Sequence, residues 1–201
     1  MYLDETGKEI SYKEYLDFFK KSHLTATTWD YNTQDSGRVS QIVAPKYSRY
    51  KVKYPLFKEE IEKMTNRNFE NKVFLISYDY LDDLCIHEGN KLDKNTIARI
   101  KDNFSTSKIF IENKNKNIVI LNFFEEGYII ANSPNSPKEY FFIDKGNFLR
   151  ENIFKTRAWC GSFALVHPNG ETLVRNGESS IIHMEQHLNP ENWMQFFPEQ
   201  K

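Results

Sequence analysis

The feature that most constrains this chain is the run from Val73 to Tyr80, almost continuously apolar and aromatic and too short for a buried helix. A segment with no polar face is a strand covered on both sides, which places helices above and below a sheet and makes the chain an α/β protein. A second such run, Asn117 to Phe124, follows. Between them Asp93 is a helix cap, and Ile97, Ala98, Ile100 and Phe104 recur at helical spacing, so the order opens β, α, β. Lys108 to Ile111 fits either a short strand or the exit of that helix.

Downstream, Gly127 turns the chain into the short run Tyr128 to Ala131, Asn132 to Pro137 is a loop, and Tyr140 to Ile143 is another apolar run. Phe148, Leu149, Ile153 and Phe154 line a helix face. Phe163 to Val166 and Thr172 to Arg175 flank Pro168-Asn169-Gly170, a hairpin with a type I turn and a bulge, because Pro presets φ and Gly accepts positive φ. Ser179 or Ser180 caps a last helix with Ile181, Ile182, Met184 and Leu188 inward and Pro190 at its end. Upstream, Ser11 with Glu14 is a capping box for a helix over Tyr12 to Ser22, and Leu56 to Met64 is a short helix. Thr25 to Lys53 holds no lasting period and is expected to be loops with an edge strand. The division this suggests is an N-terminal helical extension, 1–72, packed on a domain over 73–201.

The 201 residues carry 27 Lys and Arg against 28 Asp and Glu, a net charge of -1, so no global field favours nucleic acid or an anionic membrane. No apolar stretch reaches the roughly 20 residues of a membrane span. Sixteen Phe, 11 Tyr and 3 Trp supply an aromatic core. As numbered, the chain has no apolar leader after Met1 and is expected to be cytoplasmic. Tyr2 to Ser11 looks like the mature start of bacterial cell-envelope proteins, which would place it in the envelope or periplasm had a signal peptide been removed.

From Val73 the order β, α, β, α, β, β, α resembles the thioredoxin fold over about Val73 to Leu188. The most specific stretch is Phe163 to Gly177, similar to the late hairpin of the thioredoxin-like thiol-reductase and peroxiredoxin branches. The resemblance implies a mixed sheet with a redox corner between the first strand and its helix. There the family carries Cys-x-x-Cys; Leu81-Asp82-Asp83-Leu84-Cys85-Ile86-His87-Glu88 holds one cysteine, so the dithiol is absent. The family's cis-proline before the hairpin strand is replaced by Cys160-Gly161-Ser162. In this arrangement Cys85 and Cys160 occupy the two loops that meet at the active corner. They are the candidate catalytic residues, as a disulfide or with one as a lone redox thiol; the alternative is two inert buried residues.

Other motifs carry less. Trp159-Cys160-Gly161-Ser162-Phe163 looks like a thioredoxin or papain-type motif, but no long helix follows it, and Phe163 stands where a papain-type nucleophile belongs. His183 and His187 share a helical face at zinc spacing, yet Glu185 is misplaced for a His-Glu-x-x-His base, and a solvated face is expected. His87 stands near Cys85, His23 at a helix end and His167 in a turn. Asp79, Asp82, Asp83 and Glu88 cluster at the carboxyl end of the first strand, where open α/β sheets bind ligands, and suit a cation or a basic partner. No phosphate loop or Ser-His-Asp set is present, and neither cofactor nor metal is called for. The expected function is that of a degenerate thioredoxin-like protein, leaning away from an enzyme, that acts through ligand or partner binding or a single redox thiol. The alternative is a non-enzymatic protein–protein interaction module, such as an inhibitor or a secretion-associated binding protein.

Overall fold

The structure, a computed structural model, describes residues 1–22, 25–85 and 89–198. Its N-terminal part holds strands β1 (Tyr2–Leu3) and β2 (Glu9–Ile10), helix α1 (Tyr12–Ser22), strands β3 (Thr27–Thr33), β4 (Gly37–Val43) and β5 (Tyr47–Lys51), and helix α2 (Tyr54–Thr65). The reciprocal cap of α1 is formed: the Ser11 amide and hydroxyl both donate to the Glu14 carboxylate, and the Glu14 amide donates back to Ser11 Oγ. The region 25–53 departs from expectation, since it contains three strands rather than loops with one edge strand. β3 and β4 pair antiparallel from Thr27↔Val43 to Thr33↔Gly37. Thr, Asn, Gln and Ser are mixed among buried residues on both faces, Gln41 opposite Trp29 and Thr28 opposite Ile42, so no period of two shows.

The remaining elements are β6 (Val73–Asp79), β7 (Lys91–Leu92), α3 (Lys94–Lys114), β8 (Ile118–Glu125), β9 (Ile129–Ile130), β10 (Phe141–Asp144), α4 (Phe148–Asn152), β11 (Ser162–Val166), β12 (Glu171–Asn176), α5 (Ile181–Glu185) and α6 (Pro190–Met194). Asp93 caps α3 by accepting from the Thr96 amide at 2.8 Å, and Lys108 to Ile111 lies inside that helix. Six strands form one sheet in the order β10-β8-β6-β11-β12-β5. β6, β8 and β10 run parallel; β11 is antiparallel to β6 and makes a hairpin with β12. The inner four, β8-β6-β11-β12, are thus a parallel βαβ pair extended by an antiparallel hairpin. The chain has a thioredoxin-like α/β fold, with β10 and β5 added at the two edges.

All seven residues of β6 are buried, as a strand with covered faces requires. Successive side chains point to opposite faces. Phe74, Ile76 and Tyr78 join Tyr54, Phe57 and Ile61 of α2, while Val73 and Leu75 join Ile111 of α3, Met184 of α5 and Trp193 of α6. Aromatic contacts dominate the first face: Phe74 meets Phe57 and Phe69 edge-on at 5.3 Å each, and Tyr78 stacks on Phe154 at 4.4 Å.

The hairpin turn closes with Gly170 N donating to His167 O at 2.8 Å and His167 N to Glu171 O at 2.9 Å. Gly170 has φ 85°, and a Cβ there would press into the Val52 carbonyl oxygen. Gly170→Val is therefore expected to cost at least about 1–2 kcal/mol, through both strain and collision. Thermal unfolding checks this, and an unchanged midpoint would contradict it.

The last helical region differs from the expected single helix. Ser180 is the cap, accepting from the His183 amide at 3.1 Å, and Ile181 and Met184 are buried, but Ile182 faces outward and Leu188 is only partly buried. Regular α-helix ends at Glu185, a turn of 3-10 helix covers Gln186–Leu188, and Pro190 starts α6 instead of ending α5. Proline's fixed φ suits a first helical position, and Asn189 caps the new helix by accepting from the Glu191 amide.

Candidate functional site

β6 and β11 are adjacent, with Ser162 opposite Tyr78, so the loop leaving β6 and the loop entering β11 share one end of the sheet. Cys85 lies on the first loop and Cys160 on the second. They form a disulfide across 75 positions with Cα atoms 5.0 Å apart, within the ordinary range for such bridges. Both cysteines are half-buried.

Asp83 ties the same two loops together without the sulfurs. Its Oδ1 accepts from the Cys85 amide and its Oδ2 from the Gly161 amide, each at 2.9 Å. Burial pushes the Asp83 carboxyl up, and the amide donors pull it back. Gly161 has φ 72°, and a Cβ on it would stand 2.6 Å from the Tyr78 carbonyl oxygen and 3.6 Å from Asp79 Oδ1. The backbone before β11 is thus pressed against the end of β6 where a side chain has no room.

Asp79, the last residue of β6, is buried and accepts from Asn122 Nδ2 of β8 at 2.8 Å. Burial pushes its carboxyl up to about 7, against the Asn122 bond and with help from the negative Asp83. A buried acid near neutrality beside a disulfide can hold or release a proton at ordinary pH. Because the unfolded carboxyl titrates near 3.9, the native state retains the proton over a range where the unfolded chain has lost it. Stability is then full below about pH 4, falls as pH rises to about 7, and levels off above. Asp79→Asn is expected to remove this part of the pH dependence, read as the difference between wild-type and variant urea midpoints across that range; identical slopes would contradict it.

The residues just before Cys85 line a cleft of about 650 Å³. Trp29, Tyr31 and Gln41 of the β3–β4 ribbon form one wall, Asp82, Asp83 and Leu84 the other, with Asn90 and Arg157 completing it. The Trp159 amide donates to Thr28 O at 2.6 Å, anchoring the Cys160 loop to β3. Arg157 lies 5.7 Å over the Trp29 ring and donates to Glu125 Oε1 at 2.9 Å. Glu125 also accepts from the Leu81 amide at 2.8 Å and pairs with Arg150, so one carboxylate braces both sides of the site.

Asp79, Asp82 and Asp83 therefore do lie at this end of the sheet; Glu88 and His87 fall outside the described residues, as does His23. The strand-to-helix junction is not as the resemblance implied: among the described residues β7 intervenes and α3 starts only at Lys94. His183 is exposed, but His187 corrects the solvated-face expectation. It is half-buried, edge-on to Tyr47 at 5.5 Å, with Nε2 3.2 Å from the Tyr47 hydroxyl. His167 does sit at the hairpin turn, stacked on Trp193 at 4.0 Å. Among the described residues no three His, Cys, Asp or Glu converge as metal ligands, and no helix is long and apolar enough to cross a membrane. Trp29, Tyr31, Asn122 and Arg157 were not legible as site residues. The aromatic pair at i and i+2, Trp29 and Tyr31, was the available signal for a strand wall.

Fold and site together define a thioredoxin-like domain whose corner carries one long-range disulfide in place of Cys-x-x-Cys. No protein-family model and no curated protein matches the chain. Among solved structures, the N-terminal domain of PilB from Neisseria gonorrhoeae is similar at 11% identity and a TM-score of 0.40, covering 64% of this chain and 86% of that one. The pneumococcal exposed lipoprotein thioredoxin (Etrx1) from Streptococcus pneumoniae is similar at 11% identity and a TM-score of 0.37, covering 80% and 98%. The fold assignment rests on the strand order and directions described above.

Proposed function

We propose that this chain is a thioredoxin-like protein without a Cys-x-x-Cys dithiol that binds a protein partner in the cleft beside Cys85–Cys160 and exchanges that disulfide with the partner's thiols. In this reading residues 73–201 are the working domain and 1–72 an extension that supplies one wall of the cleft. The observation that carries it is a half-buried disulfide whose Cys85 follows directly on Asp83 and Leu84 of the cleft wall, with the buried Asp79 carboxyl, pKa about 7, at the same end of β6. A partner thiolate attacks one sulfur, the Cys85–Cys160 bond breaks as a mixed disulfide forms, and the released thiolate takes a proton. A second partner thiolate then displaces the remaining cysteine, leaving the partner oxidised by two electrons and this chain with two thiols. Asp83 keeps the two loops in register through their amides when the sulfur bond is open.

A second reading, an interaction module in which the disulfide is only a brace, is favoured by the Trp29 and Tyr31 wall, which can hold a partner with no exchange. Redox equilibration against glutathione, followed by mass spectrometry, separates the two. Exchange predicts a potential near the catalytic range of about -120 to -270 mV and a trapped mixed disulfide in Cys85→Ser or Cys160→Ser. A potential below about -300 mV, with no trapped species in either variant, would overturn exchange in favour of the brace.

A further inference from the structure

At the edge of the six-stranded sheet, β5 has a strand on one side only. The Val52 amide donates to Gly170 O at 2.9 Å and the Asn176 amide donates to Lys46 O at 2.8 Å, so the backbone groups of Ser48 and Tyr50, in phase with these two, face β12. Those of Tyr47, Arg49 and Lys51 face outward, and among the described residues none of them meets another backbone group. Such an edge accepts an extended segment as one more strand.

A cleft flanks the edge on each face. Tyr50 and Val52 pack on the face that holds α2, and Tyr47 packs on the face that holds α5 and α6. On the α2 side a cleft of about 240 Å³ is lined by Leu56, Phe148 and Ile153 together with Lys51, Lys53 and Lys155, and by no acidic residue. Leu56 is 54% exposed there. The Lys155 ammonium lies 4.8 Å over the Tyr50 ring, and among the described residues neither Lys155 nor Lys53 is paired with a carboxylate. On the other face a cleft of about 860 Å³ is lined by Arg49, Lys51, His167 and Trp193, with Glu171 as its one acid. Arg49 donates to the Phe196 carbonyl at 2.8 Å, a neutral acceptor. Glu171 already accepts from Trp193 Nε1 at 3.0 Å and lies 3.8 Å from the Lys51 ammonium. On a chain whose total charge is -1, this edge is therefore locally basic.

We infer that β5 is the docking edge for an extended segment of a partner protein in which acidic residues alternate with apolar ones. Its backbone pairs with Tyr47, Arg49 and Lys51. Because side chains alternate between faces, its acids meet Arg49 and Lys51 on one side while its apolar residues enter the cleft of Leu56, Phe148 and Ile153 on the other. A second copy of this chain fits the edge worse. Antiparallel β5–β5 pairing centred on Arg49 sets Arg49 opposite Arg49, and pairing centred on Tyr50 sets Arg49 opposite Lys51; like charges directly opposite destabilise a strand pair. An acidic strand turns the same positions into attraction. This inference is independent of the disulfide reading.

The test is titration of the full chain near neutral pH and low salt with a synthetic peptide alternating Glu and Val, read by fluorescence anisotropy of the labelled peptide and by NMR amide exchange of the protein. Expected are saturable binding, slowed exchange of the Tyr47, Arg49 and Lys51 amides, and affinity at least about fivefold weaker in the Arg49→Gln and Lys51→Gln double variant. Both side chains are exposed, so the variant keeps the fold. No saturable binding, binding that leaves the three amides unprotected, or equal affinity for a peptide alternating Lys and Val overturns the site. A dimer of the chain alone that protects the same amides gives the edge to a second copy and overturns the acidic partner.

Discussion

Reduction of Cys85–Cys160 is expected to lower the unfolding free energy by about 4 kcal/mol, the chain-entropy value for a bridge across 75 positions. The bond constrains the unfolded chain far more than the folded one, because Asp83 already holds both loops by their amides. The native sheet should therefore survive reduction while its denaturant midpoint falls. Urea unfolding with and without reductant, and of the Cys85→Ser and Cys160→Ser double variant, measures the loss; an unchanged midpoint would show that the bridge does not restrain the unfolded state. The same loss bears on function, since a protein that cycles between bonded and free cysteines must stay folded in its less stable form.

Met184→Ala is expected to cost about 2–5 kcal/mol, the second large effect. Met184 is fully buried against Leu75, Ile111 and Leu165, where α5 docks on the sheet, and truncation leaves a cavity between helix and strands. His183→Ala, one position away and exposed, should be within about 0.5 kcal/mol of wild type. His187→Ala should cost about 1 kcal/mol, through its lost bond to Tyr47. Differential unfolding of the three variants is the check, and equal losses at Met184 and His183 would displace α5 from the described position.

The core strands were legible because burial on both faces removes polar residues, as in β6 and β8, and the α1 and α3 boundaries because Ser11–Glu14 and Asp93 make local caps. The neighbourhood of Cys85 and Cys160 followed from the strand adjacency that the thioredoxin-like resemblance implies, which the pairing of β6 with β11 bears out. What escaped reading was built by contacts between segments far apart. The β3–β4 ribbon buries neighbouring residues such as Trp29 and Asp30, and Ile42 and Val43, on opposite faces, so it shows no clean alternation, and with it went the cleft wall of Trp29 and Tyr31. Arg157 likewise has no local signature; its place is set by Glu125 from another strand. Pro190 misled because proline opens a helix as readily as it closes one.

The sheet's far edge bears on how the molecule assembles. β5 pairs with β12 from Tyr47↔Arg175 to Lys51↔Glu171, so the outermost strand is made early and its partner late. During ribosomal synthesis Tyr47–Lys51 waits without its ladder until residues 171–175 have emerged and the hairpin has closed on β6. Such non-local pairing raises contact order, which slows folding. The side chains of Arg49 and Lys51, one charge on every second residue, guard that waiting strand against pairing with another nascent chain.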